Sequence, residues 1–114
     1  MLIDDVLFSL TNKYGDDFNW MSIPLSNVSF VEELKRELGK EHPLYNKIIR
    51  AVAKCESNDD VLFFVANETE EEVYYLVHLT YSTQQSQGSA RGIEFRTTEE
   101  VKEYMEQRYI EEYL

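Results

Sequence analysis

Two apolar runs constrain this chain more than anything else in it: "VLFFVA" at 61–66 and "VYYLVHLTY" at 73–81, joined by "NETEEE". Short stretches rich in β-branched and aromatic residues, bounded by Asn and charged groups, read as strands. The first is apolar on both faces, the mark of a strand covered on both sides. The second alternates. Val73, Tyr75, Val77, Leu79 and Tyr81 share one face, expected to pack on helices. Tyr74, Leu76, His78 and Thr80 share the other, whose mixed composition suits a half-open sheet surface. The pair predicts an antiparallel hairpin turning through residues 67–72.

Helical signals flank this hairpin. Ile3, Val6, Leu7, Leu10 and Tyr14 follow helix spacing, and Gly15 offers a stop. "DDFNWMSIPLSN" reads as irregular or briefly extended, with Pro24 limiting any strand there to an edge. Ser29 with Glu32 predicts a capping box for a helix carrying Phe30, Val31, Leu34 and Leu38 inward and ending at Gly39. Pro43 suits a first helical position, and Leu44, Tyr45, Ile48, Ile49 and Val52 make an apolar stripe opposite Lys47, Arg50 and Lys54. A helix is therefore expected over 43–55.

After a long polar loop, a short strand is expected at 93–96. Thr97 with Glu100 makes a further capping box, opening a helix with Val101, Tyr104, Met105 and Tyr109 inward. The fold class expected is α+β, one domain over 1–114. Its three-stranded antiparallel meander packs against about four helices in the order α-α-α-β-β-β-α. Ile48, Ile49, Val52, Phe63, Val77, Leu79 and Met105 should be buried.

Charge narrows the function classes. Twenty-two acidic against eleven basic residues leave a net charge of −11, so direct nucleic-acid binding is disfavoured by phosphate repulsion. Residues 56–72 hold Glu56, Asp59, Asp60, Glu68, Glu70, Glu71 and Glu72 and no base; residues 99–114 hold six acids against Lys102 and Arg108. Residues 43–55 are the counterpart, with Lys47, Arg50 and Lys54 and no acid. A lone cysteine, Cys55, forms no internal disulfide and suits a reducing compartment. No stretch approaches the roughly 20 apolar residues of a membrane span. A cytoplasmic protein is expected.

Little in the sequence points to catalysis. Cys55 and His78 could form a nucleophile pair, but Cys55 is expected at a helix C-terminus, where the dipole disfavours a thiolate. His42 and His78 lie on separate elements without metal-ligand spacing, so neither a metal nor another cofactor is expected. There is no glycine-rich phosphate loop. For His78 itself a hydrogen-bonded structural role is expected ahead of ligand binding.

The segment "HPLYNKIIRAVAKCESNDDVLFFV" followed by "YYLVHLTYS" resembles a small bacterial domain family. Its pattern is a His-Pro-Leu helix start, an Asp-Asp-Val-Leu-Phe strand and a Val-His-Leu-Thr-Trp strand. The matching residues are His42 to Leu44, Asp59 to Phe63 and Val77 to Thr80, with Tyr81 in place of the tryptophan. The resemblance implies a fold relationship and no particular activity. In size and charge the chain is also similar to immunity proteins that neutralise toxins.

Two functions are expected from these features. The first is an acidic protein-binding module of the immunity or antitoxin type. It would meet a basic partner through Glu68, Glu70, Glu71 and Glu72, with Tyr74, His78 and Thr80 on the sheet face. The alternative is a small-ligand or enzymatic domain, with His78, Thr80 and Asp60 lining a pocket.

Overall fold

The computed structural model describes residues 3–15, 18–24, 26–40, 44–56, 60–66, 73–79 and 92–113. Its elements are α1 (Ile3–Tyr14), β1 (Trp20–Ser22), α2 (Ser29–Leu38), β2 (Ile48–Cys55), β3 (Asp60–Ala66), β4 (Val73–His78), β5 (Gly92–Phe95) and α3 (Thr98–Tyr113). The strands form one antiparallel sheet in sequence order, β1-β2-β3-β4-β5. The class is α+β. The expected three strands and four helices are corrected to five strands and three helices among the described residues.

The largest correction is residues 48–55. They form a strand that pairs with β3 from Ile48 opposite Ala66 to Lys54 opposite Val61. The helix spacing of Leu44, Tyr45, Ile48, Ile49 and Val52 was real but coincidental. A bulge between Ala51 and Ala53 shifts the register, so the alternation that marks a strand is interrupted at Val52 and hard to see. Leu44 to Lys47 form a turn instead of a first helical turn, with the Lys47 N–H donating to Leu44 O. Ile48, expected in the core, is 79% exposed, and Ile49 is only half-buried; Val52, Phe63, Val77, Leu79 and Met105 are buried. The second addition is β1, the edge strand formed where an irregular stretch was expected.

Both sheet faces are covered, by different helices. On one, Val6, Leu7 and Leu10 of α1 and Val101, Met105 and Tyr109 of α3 pack with Trp20, Cys55, Leu62, Tyr74, Leu76 and Phe95. On the other, Leu34 and Leu38 of α2 pack with Ile23, Ala51, Val61, Phe63, Val77 and Leu79. The alternation along β4 is as expected, but the Tyr74 and Leu76 face is covered, not half-open. Tyr74 is 3% exposed, and its ring meets that of Phe64 edge-on.

Local chemistry explains the helix ends. Gly15 and Gly39 take positive φ after α1 and α2, where a side chain would be strained. The Thr97 cap of α3 forms: the Glu100 N–H donates to Thr97 Oγ1 at 3.1 Å, while Glu100 Oε1 accepts from the N–H of Arg96, one residue before the cap, at 3.2 Å. The one expected at Ser29 does not. Val28 is the cap, and the Ser29 N–H and hydroxyl both donate to Asn27 Oδ1. α1 and α3 are joined at Glu106, which accepts from Lys13 Nζ at 2.7 Å and from the Tyr14 hydroxyl at 2.8 Å.

Candidate functional site

The candidate site is built on the last rung of the β3–β4 hairpin, where Asp60 stands directly opposite His78. Facing residues of an antiparallel pair point to the same side of the sheet, so carboxylate and imidazole meet without any loop to position them. His78 Nδ1 lies 2.8 Å from Asp60 Oδ1. The Asp60 side chain is 16% exposed and that of His78 59%, so the carboxylate is sheltered and the ring stands in the open. Because a carboxylate only accepts, Nδ1 donates to Asp60, which leaves Nε2 directed elsewhere.

Helix α3 lies close to this pair. Burial raises the Tyr104 phenol above its ordinary pKa; Arg108 opposes that shift, while Asp60, Cys55 and Glu111 add to it.

Cys55 is near but plays another part. It ends β2, buried at 3% exposure, opposite Trp20 on β1, and its sulfur accepts from Asn19 Nδ2 at 3.6 Å. Its place at a strand end overturns the helix-dipole argument against a thiolate. The register supplies a better one. Lys54 opposite Val61 brings Cys55 beside Asp60, two strands from His78, roughly 10 Å at the usual strand spacing. The thiol and the imidazole are not partners. Among the described residues no group of three His, Cys, Asp or Glu could hold a metal ion.

The other expected site residues separate. Glu68, Glu70, Glu71, Glu72 and Thr80 lie outside the described residues, as does His42. Tyr74 belongs to the core. Val73 and His78 are the two ends of β4. Five residues of strand put about 17 Å between Val73 and His78.

A surface the residue pattern only hinted at lies on α3. Glu99, Glu100, Glu103, Gln107 and Glu111 are exposed. Glu99, Glu103, Gln107 and Glu111 recur every four residues, a stripe along one side of the helix spanning about 18 Å. The six acids of 99–114 were visible in the sequence; which of them face outward follows from the burial of Val101, Met105 and Tyr109.

No described helix is long and apolar enough to cross a membrane. No family model, curated protein or solved structure matches the chain, so the likeness of residues 42–80 to a bacterial domain family stands on its motifs alone.

Proposed function

We propose that this chain is an acidic protein-binding module, of the immunity or antitoxin type, that neutralises a basic protein partner. The observation carrying this reading is the α3 stripe. Glu99, Glu103 and Glu111 stand exposed on a helix whose other side is held in the core by Val101, Met105 and Tyr109. Carboxylates on such a support present a fixed negative field, which steers a cationic surface into register and raises the association rate. The acidic run Glu68, Glu70, Glu71 and Glu72 adds to the same field, at a net charge of −11. A nucleic-acid partner is disfavoured by that charge.

The test begins with capture of partners from the native cell extract at low salt, followed by association kinetics with any basic protein recovered. Changing Glu99, Glu103 and Glu111 to Gln should slow association several-fold at low salt and flatten its dependence on ionic strength. Identical kinetics for the parent and the variant across the salt series would overturn the reading, as would recovery of acidic partners alone.

The hydrogen bond between His78 and Asp60 favours a second reading, a small-ligand or enzymatic site around His78. The sheltered Asp60 orients the ring and leaves Nε2 for a proton transfer or a ligand. The exposure of His78 weighs against it, since a ligand site usually encloses its polar groups.

A further inference from the structure

We infer that the outer edge of β2 over Ile48–Arg50 is a docking site for an extended acidic peptide segment of a partner protein, which would add to the sheet as a strand. This surface is separate from α3, so it does not depend on the reading above.

The edge follows from the register. β1 pairs with β2 from Ala53 to Cys55, and just beyond it the Ile23 N–H donates to Val52 O. The bulge between Ala51 and Ala53 falls where β1 gives out. Below it, Ile48, Ile49, Arg50 and Ala51 pair with β3 on one side, and no described strand lies on the other. Such an edge presents main-chain donors and acceptors to any extended chain.

The side chains choose the occupant. Ile48 and Arg50 point to one face and are both exposed, Ile48 at 79%. Lys47 beside them is exposed as well. These cations lie in the stretch 43–55, which has no acid, in a chain of net charge −11. A segment of sequence Glu-Val-Val-Glu fits in either direction: the carboxylates meet Lys47 and Arg50, and the valines meet Ile48 and half-buried Ile49.

The test uses three capped synthetic peptides: Thr-Glu-Val-Val-Glu-Thr, the same peptide N-methylated at both valines, and Thr-Lys-Val-Val-Lys-Thr. Binding is read from the amide NMR signals of the full chain. The acidic peptide should shift the amides of Lys47 to Val52 and protect some of them from hydrogen exchange. Its affinity should exceed that of the N-methylated and basic peptides by tenfold or more. The exposed double change Lys47→Glu with Arg50→Glu should lower that affinity at least tenfold and favour the basic peptide instead. The inference is overturned if the acidic peptide causes no shifts, or if its shifts centre away from β2. Equal affinity for the N-methylated form, or self-association through this edge in place of peptide binding, would overturn it too.

Discussion

His78 on β4 and Asp60 on β3 face each other across the sheet with 2.8 Å between Nδ1 and Oδ1. This contact is made by strand register alone. It sets the orientation of the most exposed ring on the hairpin, with Asp60 holding the proton on Nδ1.

The first prediction concerns that proton. In the parent chain at neutral pH, neutral His78 should be mainly the Nδ1–H tautomer, read from its ring nitrogen chemical shifts. Asp60→Ala should abolish this preference. Loss of the pair should cost less than about 1 kcal/mol, because the ring is largely solvated. An Nε2–H tautomer in the parent would show that the contact does not form.

Ile48 and Ala53 test the strand assignment of 48–55. Ile48→Ser should change stability by no more than about 0.5 kcal/mol, since Ile48 is 79% exposed. Ala53→Leu, at a site with no exposure, should cost about 1–3 kcal/mol through overpacking. A helix over 43–55 with Ile48 inward would make the first change the costly one. Urea unfolding midpoints at unchanged slope give the comparison.

Gly15 and Gly39 should tolerate alanine unequally. Gly15 has φ 74° in open space, and its replacement should cost about 1 kcal/mol. Gly39 has φ 81° and ψ 160°, a region essentially reserved for glycine, so Gly39→Ala should cost about 1–3 kcal/mol. Thermal unfolding of the two variants should rank them in that order.

Glu106 carries a pH dependence. Hydrogen bonds from Lys13 and then Tyr14 hold its carboxyl below the ordinary glutamate value. The unfolded chain therefore binds more protons than the native one in acid. The stability from this pair is present above the unfolded pKa of about 4.3 and is lost as pH falls through the lower native value. Glu106→Gln should remove that part of the acid limb in a plot of stability against pH, leaving the neutral region only slightly lowered. An acid limb identical to the parent's would mean that Lys13 and Tyr14 do not hold the carboxylate.

The sequence by itself determined the elements whose signals are local. The hairpin of β3 and β4 lies in its composition, α1 and α2 in their periodicity and glycine stops, and the start of α3 in Thr97 and Glu100. Asp60 and His78 were both candidates from the sequence, but that they face each other is decided by the β3–β4 register. Tertiary structure decided what depends on distant partners. Residues 48–55 have both a helix-like spacing and strand-forming β-branched residues, and pairing with β3 tips them to a strand. That strand in turn recruits Trp20 to Ser22 as β1, moves Ile48 from core to surface and sets Cys55 two strands from His78. The covering of Tyr74 also needed the third dimension, because alternation separates the two faces of a strand but does not say which helices lie over each. A ladder of hydrogen bonds and a buried face outweigh local propensity, and both exist only once the chain has closed on itself.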